Sequence, residues 1–133
     1  MSLENVEIVR GAFAVVTIPG DPGAMIAASG PGFEMHLIGV TGESVHYAGA
    51  SGIRNWFRDV AQSWEFFRFE ATDVRDLGDR VLVLGDVRAR GRASGVEVDD
   101  RWGWIIELSE GRAASLRGFH DQGEALEAEG LSE

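Results

Sequence analysis

The sequence lacks cysteine and has one tyrosine and three prolines among its 133 residues. Without cysteine, the chain can form no disulfide, thiolate nucleophile or thiolate metal site, which is compatible with a reducing compartment. No apolar run approaches the roughly 20 residues that cross a bilayer, and residues 1–10 lack the basic start of a signal peptide. We therefore expect a cytoplasmic protein.

Positive charge is also scarce, since the chain has 12 basic and 22 acidic residues and a formal net charge of -10. The resulting field repels phosphate backbones and anionic lipid head groups, which argues against nucleic-acid and membrane partners. The sequence also shows no internal repeat, low-complexity tract or linker. Its length is typical of one domain with a core of its own, so we expect a single domain over residues 1–133.

Apolar periodicity predicts helices at several places. Residues 6–16 repeat apolar side chains at helical spacing, and the pair Asp21-Pro22 begins a second, short helix. The clearest helix covers residues 53–64, whose apolar side chains form one stripe while the charged side chains take the other side. A last helix is expected over residues 122–129. The aromatic stripe of the third helix has to cover a large apolar surface.

Alternating patterns predict strands in the rest of the chain. Residues 33–37 alternate apolar and polar side chains, and from Phe66 onward the period is two, with turns at residues 78–79, 94–95 and 110–111. The last four strands form an antiparallel meander, and two of them far exceed the usual length of about 5 to 6 residues, so the sheet must bend. We therefore predict an α+β fold, in which a strongly curved antiparallel sheet wraps around N-terminal helices, encloses a pocket and is followed by a short C-terminal helix.

Turn geometry determines which side chains share a face of the sheet. If Ser94-Gly95 is a two-residue hairpin turn, Val87 lies opposite Trp102, and the large indoles face small residues across the ladder. Opposite charges then meet on the other face. Arg88, however, lies opposite Arg101, a mismatch that this register does not explain.

Two carboxylates are the leading candidates for chemistry. Counting from a two-residue turn at residues 110–111 places Asp121 opposite Asp100 on the face that carries the tryptophans. Carboxylates held side by side cannot both ionise freely, so either is a candidate catalytic acid or base. Two alternatives stay open: Asp121 begins a D-x-x-E helix-capping signature, and Asp100 is a polar residue at the rim of the sheet.

Aromatic side chains dominate the predicted interior. The residues expected to line or fill the pocket are Phe13, Met35, Trp56, Phe57, Trp102, Trp104, Arg117 and Phe119. Aromatic stripes belong to cores more often than to binding platforms, and here both roles are compatible. The predicted register places Arg117 opposite Trp104, where a buried guanidinium would need an acidic partner or an anionic ligand group; surface packing is its simpler interpretation.

The three histidines show no ligand spacing such as H-x-x-x-H, so we expect no metal site. His36 ends the first predicted strand and is a candidate base, but the alternation turns it away from the apolar face and favours a solvent or interface position. His120 is expected on the outer face, and His46 in a loop or short strand. Signatures for phosphate binding, dinucleotide binding and serine hydrolysis are absent, and we expect no cofactor.

The order of these elements resembles the nuclear transport factor 2-like fold in its SnoaL-like branch. The segments that carry the resemblance are residues 4–13 (ENVEIVRGAF), 33–36 (FEMH), 47–59 (YAGASGIRNWFRD), 78–85 (GDRVLVLG) and 119–126 (FHDQGEAL). The resemblance implies a cone with a pocket between sheet and helices, often in a homodimer formed through the outer sheet face. Such cones host isomerases, cyclases, epoxide hydrolases and non-catalytic subunits, so the fold alone selects no activity.

The resemblance also implies roles for single residues. SnoaL-like cyclases use an acid/base aspartate near the end of the last strand, which matches Asp121, and related isomerases place a general base where His36 stands. A ketosteroid isomerase needs a tyrosine where this chain has Phe13, and the predicted register provides no arginine between Asp100 and Asp121, as a limonene-epoxide-hydrolase-like site requires. We expect a domain that binds a small, largely apolar or aromatic molecule, with or without acid/base catalysis; the alternative is a non-catalytic binding or dimerisation module.

Overall fold

The computed structural model describes residues 2–38 and 44–130. Within these ranges the helices are α1 (Ser2–Ala12), α2 (Gly23–Ala28), α3 (Gly49–Ser63) and α4 (Gln122–Ala128). The strands are β1 (Val15–Ile18), β2 (Ser29–Ile38), β3 (Ser44–Ala48), β4 (Trp64–Asp76), β5 (Arg80–Gly91), β6 (Glu97–Ser109) and β7 (Arg112–Phe119). No helix in this part of the chain is both long enough and apolar enough to span a membrane.

The strands form one curled sheet in the order β1-β4-β5-β6-β7-β2-β3. Neighbouring strands are antiparallel except β2 and β7, which run parallel. The predicted α+β class with a strongly curved sheet is confirmed. The short edge strand β1 is an addition to the predicted elements, and β3 is the short strand that was one of the two alternatives for His46. Val16 pairs with Phe69 in the sheet instead of continuing the first helix, because the β-branched residues 15–18 favour an extended strand.

Two apolar clusters lie on opposite faces of the sheet. Helices α1, α2 and α3 pack on the inner face and form the main core with the inward side chains of the strands, such as Phe69 and Val83. Helix α4 packs on the outer face and forms a smaller cluster, made of Leu82, Leu84, Ile105, Ala125 and Leu126. Because side chains alternate along a strand, β5 and β6 contribute to both clusters.

Helix α3 is the predicted aromatic helix, and its buried residues include Ile53, Trp56 and Phe57 on one side. Gly52 allows the helix to approach β3 closely, since a Cβ atom at this position would lie 3.0 Å from the carbonyl carbon of Tyr47. This close approach brings the side chains of β3 and α3 to the same end of the inner face.

The β5–β6 hairpin is shifted by two residues from the predicted register. Trp102 pairs with Gly85, because the connection between the strands is longer than the predicted two-residue turn. An even shift keeps every side chain on its predicted face. It also removes the predicted mismatch on the outer face, since Arg88 lies opposite Asp99 instead of Arg101.

The β6–β7 hairpin starts in the predicted register and then slips by one residue. Ser109 pairs with Arg112 across the two-residue turn, but the register shifts next to Ala114, so that Ile105 pairs with Arg117. A shift of one residue moves every later side chain to the other face. Arg117 therefore lies on the outer face, and its predicted pairing with a tryptophan is wrong.

Candidate functional site

A cavity of about 240 Å³ lies between helix α3 and the inner face of the sheet. The residues that line it are Leu37, Ile38, Val45, Tyr47, Trp56, Asp59, Val60, Trp64, Phe67, Trp102, Trp104, Gly118, Phe119 and His120. A smaller cavity of about 140 Å³ adjoins it and shares Trp64, Phe67, Trp102 and His120. The curl of the sheet and the docking of α3 together create this space.

Packed aromatic rings form the apolar wall of the cavity. Trp104 stacks on Phe69 with ring centroids 3.9 Å apart, and Trp56 meets Trp104 edge-on at 6.4 Å. Phe67 contacts Trp102 with ring centroids 5.5 Å apart. Stacked and edge-to-face contacts are the preferred arrangements of aromatic pairs, so the core itself holds the shape of this wall.

Two buried indole N–H groups in this wall have no hydrogen-bond acceptor within the described part of the chain, namely Nε1 of Trp102 and Nε1 of Trp104. A buried indole N–H usually has a partner, and leaving one unsatisfied costs about 1 to 3 kcal/mol. Both indoles line the cavity, but the two nitrogens are closed off, so an acceptor atom of a bound molecule reaches either N–H only when the indole turns towards the cavity.

The polar side of the cavity is formed by Tyr47 and Asp59. The hydroxyl of Tyr47 donates a hydrogen bond to Oδ2 of Asp59 at 2.8 Å, and Arg58 contacts Oδ1 of the same carboxylate at 3.2 Å. Burial, together with the hydrogen bond to Asp59, raises the pKa of Tyr47 to about 12. The hydrogen bond from Tyr47, helped by Arg58, lowers the pKa of Asp59. At neutral pH the pair consists of a protonated phenol and an ionised carboxylate.

His120 lies where the two cavities meet, because it lines both of them. It is half-buried. The prediction that His120 points to the outer face is wrong, since the slip in β7 moves this residue to the inner side. A half-buried imidazole beside an apolar cavity can exchange a proton with a bound molecule or hydrogen-bond to it.

The three predicted catalytic residues lie at the rim of the cavity or outside it. Asp100 and Asp121 are exposed and border a shallow depression beside His120. Their predicted cross-strand pairing is wrong, because β7 ends before it reaches that position. Asp100 lies on the tryptophan face as predicted, since it pairs with the inward Val87 and lines the smaller cavity. Oδ1 of Asp121 accepts a hydrogen bond from the backbone N–H of Glu124 at 3.2 Å, so Asp121 caps α4. His36 lies on the outer face of β2, across the sheet from the cavity. Catalytic roles for all three stay predictions.

The predicted pocket residues divide into three groups. Those that line the cavity are Trp56, Trp102, Trp104 and Phe119. The side chain of Phe119 nevertheless packs on the outer cluster under α4, because the slip in β7 turns it away from the predicted inner face. Those that are buried in the main core instead are Phe13, Met35 and Phe57. Arg117 has the place that differs most from its prediction, since it pairs with Oε2 of Glu129 at 3.2 Å on the outer face. The correction follows from the same slip in β7.

Sequence reasoning missed the three titratable residues of the cavity wall. Tyr47 lies on β3, which the sequence left open as a loop or a short strand, so the face of the sheet on which this only tyrosine of the chain lies could not be assigned. Asp59 lies on the polar side of α3, at the point where that side meets the cavity. The place of His120 depends on the slip in β7, which no residue pattern reveals.

Metal-ligating groups converge elsewhere. Within residues 2–38 and 44–130, one group of three such side chains lies close together, and its members are Glu34, His36 and His46. This group is on the outer face of the sheet. The chemistry of the cavity therefore depends on its own phenol, carboxylate, imidazole and indole groups.

A family model described as a SnoaL-like domain matches residues 9–116. The match begins within α1 and ends within β7, and it includes α2, α3 and the strands β1 to β6 completely. Among curated protein sequences, none matches this chain significantly.

Solved structures share the fold at low sequence identity. A nuclear transport factor 2-like protein of unknown function from Burkholderia pseudomallei K96243 is 21% identical, with a TM-score of 0.72 over 93% of this chain and 95% of that chain. A candidate SnoaL-like polyketide cyclase from Jannaschia sp. CCS1 is 18% identical, with a TM-score of 0.71 over 90% and 87%. A phenazine biosynthesis-related protein from Pseudomonas aeruginosa is 14% identical, with a TM-score of 0.71 over 99% and 88%. At these identities the likeness establishes the fold alone.

Proposed function

The chain belongs to the SnoaL-like domain family, which confirms the resemblance noted in its sequence, and from this premise we propose that it binds a small, largely apolar molecule in the cavity under α3. The observation that carries the proposal is the aromatic cavity itself. An apolar cavity of about 150 Å³ is large enough for benzene, so about 240 Å³ admits a substituted single ring. Small-molecule sites typically combine such apolar walls with a few polar groups that orient the ligand.

We further propose that the ligand carries a hydrogen-bond acceptor, such as a carbonyl oxygen. The unpaired N–H groups of Trp102 and Trp104 support this, because an acceptor placed against either would remove an unsatisfied buried donor. The names of two structural neighbours, a candidate polyketide cyclase and a phenazine biosynthesis-related protein, also refer to small organic molecules.

A matched pair of probes tests both proposals. Acetophenone and α-methylstyrene have nearly the same shape, but only acetophenone carries a carbonyl oxygen. We expect both to quench the fluorescence of the wall tryptophans in a saturable manner. Acetophenone should bind about tenfold more tightly, because one hydrogen bond contributes about 1 kcal/mol or slightly more. Equal affinities would contradict the acceptor but not the apolar site.

A cavity-filling variant locates the binding. Val45 is half-buried and lines the cavity, so Val45→Phe should weaken the binding of both probes strongly. Val15→Phe is the matched control, because Val15 is 50% exposed on the edge strand β1 and does not line the cavity. Unchanged binding by Val45→Phe, or no saturable binding by the wild-type chain, would refute a ligand site here.

Acid/base catalysis on the bound molecule is the second candidate function. It is favoured by the placement of His120 and of the ionised Asp59 in the cavity wall. The methyl protons of acetophenone are weakly acidic, so their exchange in D₂O, followed by proton NMR, reports on a base in the site. We expect exchange above the buffer rate that is lost in His120→Gln.

The role of Asp121 is separable from that of His120 in the same assay. Asp121→Asn keeps an oxygen that can cap α4 but removes the carboxylate base. Unchanged exchange in this variant would eliminate Asp121 as the base, while exchange at the buffer rate in the wild-type chain would favour the non-catalytic alternative. A cytoplasmic location is likewise our proposal, supported by the absence of cysteine, and the homodimer through the outer sheet face stays a prediction.

A further inference from the structure

Three metal-ligating side chains meet on the outer face of the β2–β3 hairpin. Glu34 and His36 are two residues apart on β2, so their side chains share this face, and His46 lies directly opposite His36 on β3. The inward residues of β2, such as Met35, are buried in the main core. The pairing of β2 with β3 therefore fixes the Cα positions of all three residues.

The distances within this group are those of a metal site. Nε2 of His36 and Nε2 of His46 each lie 3.2 Å from the same atom, Oε1 of Glu34. In a tetrahedral site with metal–ligand distances of about 2.0 to 2.1 Å, the ligand atoms are about 3.3 Å from one another. All three ligand atoms lie within 4.8 Å of one another, so the imidazole nitrogens need only side-chain rotation to close on an ion.

We propose that Glu34, His36 and His46 bind a divalent transition-metal ion of the Zn²⁺ type. Two imidazoles and one carboxylate suit zinc, copper or nickel, whereas magnesium and calcium prefer oxygen ligands. The two rings are stacked with centroids 4.6 Å apart, and both present Nε2 to the same carboxylate oxygen. Each of the three side chains is a little over half exposed, at 51 to 53%, so water can occupy the remaining coordination positions.

The surrounding charges also permit a cation at this place. Arg117 of β7 is the neighbour of His36 across the parallel strand pair, and it is the positive charge that faces the site from β7. Its guanidinium pairs with Glu129 at 3.2 Å, which reduces its repulsion of a bound ion. The formal net charge of -10 makes the field of the whole chain attractive to cations.

The site has a structural consequence, because β3 is an edge strand of the sheet. Ligands from β2 and β3 on one ion would join the edge strand to its neighbour. An ion that binds only the folded chain stabilises it by mass action. The site is across the sheet from the cavity and does not depend on a ligand there.

Calorimetric titration of the untagged chain with zinc chloride tests the proposal. We expect saturable binding of one ion per chain. His36→Gln and His46→Gln should each weaken it by at least the roughly 10- to 100-fold that the loss of an outer-shell partner costs. His120→Gln is the matched control for metal binding, since it removes the third histidine, which lies on the inner side of the sheet. Zinc should also raise the unfolding temperature of the wild-type chain and leave that of His46→Gln unchanged.

Two results would overturn the metal site. One is the absence of saturable zinc binding by the wild-type chain up to millimolar concentration; the other is equal binding by the wild type, His36→Gln and His46→Gln. Glu34→Gln separates the metal site from a mere histidine pair, because it keeps both imidazoles and removes the charged ligand. Unfolding temperatures measured in a chelator show that each variant is folded, so that a loss of zinc binding reports on the site.

Discussion

At the scale of single residues, the hydrogen bond from Tyr47 to Asp59 connects the chemistry of the cavity to a measurable ionisation. Both residues line the cavity, and their oxygens are 2.8 Å apart. The phenol donates to the carboxylate, so Asp59 favours the protonated form of Tyr47 and Tyr47 favours the ionised form of Asp59. The contact therefore fixes a neutral donor beside a negative charge at one end of the ligand space.

We predict that the only tyrosine of the chain ionises with a pKa of about 12 in the folded protein. Spectrophotometric titration of the tyrosinate absorbance measures this value directly. In Asp59→Asn the midpoint should move down towards the ordinary value of about 10, because the negative partner is gone. Glu7→Gln, an exposed change on α1, is the control and should leave the midpoint unchanged. An ordinary pKa of Tyr47 in the wild-type chain would contradict both the burial of the phenol and its hydrogen bond to Asp59.

The same shift has a consequence for stability at high pH. A raised pKa in the folded state means that the folded chain holds the phenolic proton more tightly than the unfolded chain. This contribution is fully present below the unfolded value of about 10 and is lost as the pH rises through about 12. For Asp59, whose pKa is lowered, the contribution is present above its ordinary value and is lost as the pH falls through the folded value.

A second residue-scale prediction concerns the cap of α4. Asp121 accepts a hydrogen bond from the N–H of Glu124, so Asp121→Ala should lower the free energy of unfolding by about 1 kcal/mol. Asp121→Asn should cost less, because its amide oxygen can accept the same bond. Urea denaturation of both variants measures the difference. Equal losses would show that the negative charge, and not the capping oxygen, stabilises the start of the helix.

At the scale of elements, β4 and β5 leave no room for a side chain where Gly85 faces Phe69. A Cβ atom at Gly85 would lie 2.5 Å from Cζ of Phe69 and 2.7 Å from the backbone oxygen of Glu70. The backbone oxygen cannot move without disturbing the strand pair. Gly85→Ala should therefore destabilise the fold by about 1 to 3 kcal/mol.

A matched glycine provides the control for this prediction. Gly32 lies in β2 with no atom within 4 Å of a Cβ built on it, so Gly32→Ala should be neutral or slightly stabilising. Thermal unfolding followed by circular dichroism compares the two variants. A loss of stability as large in Gly32→Ala as in Gly85→Ala would attribute the effect to strand glycines in general and not to the close contact with Phe69.

Local patterns predicted the elements that bury a complete apolar face. Helix α3 and the strands β4 to β7 follow from periodicity and turn residues, because each repeats its pattern over many positions. The edge strands β1 and β3 have 4 and 5 residues, too few for a period to be read. The predicted pairing of β5 with β6 was shifted by two residues from the observed one, and an even shift leaves every side chain on its predicted face.

Residues of the candidate site could be predicted from the sequence only where the pattern assigns their side chains to the correct face of the sheet. Trp102 and Trp104 keep their inward direction in either register, whereas Arg117 and His120 exchange sides through the slip in β7. The metal-ligating group of Glu34, His36 and His46 could not be predicted for another reason. Its histidines are brought together by pairing between strands, and ligand spacing along the chain does not record that pairing.

At the scale of the whole molecule, the two apolar clusters share their strands. Val83 belongs to the main core, while its neighbours Leu82 and Leu84 belong to the cluster under α4. Neither cluster can lose its strands without disrupting the other. Composition and length predicted one domain over residues 1–133, and the sharing of β5 and β6 is the physical reason to keep that prediction.

We therefore predict a single cooperative unfolding transition. Tryptophan fluorescence reports on the inner wall and far-ultraviolet circular dichroism reports on the whole backbone, and their thermal midpoints should coincide. A separate loss of helical signal at lower temperature, before the fluorescence changes, would contradict one cooperative unit.

The slip in β7 has a genetic consequence. Ala114 is the one extra residue of the slip, so an in-frame deletion of its codon would remove the bulge and leave Ser115 opposite Glu107 and Arg117 opposite Ile105. Gly118 and His120 would keep their places beside the chamber, and Arg117 would stay on the outer face. The coding sequence can therefore lose or regain one codon here while the same side chains enter the interior, so strand length and binding chemistry can evolve separately in descendants of this scaffold.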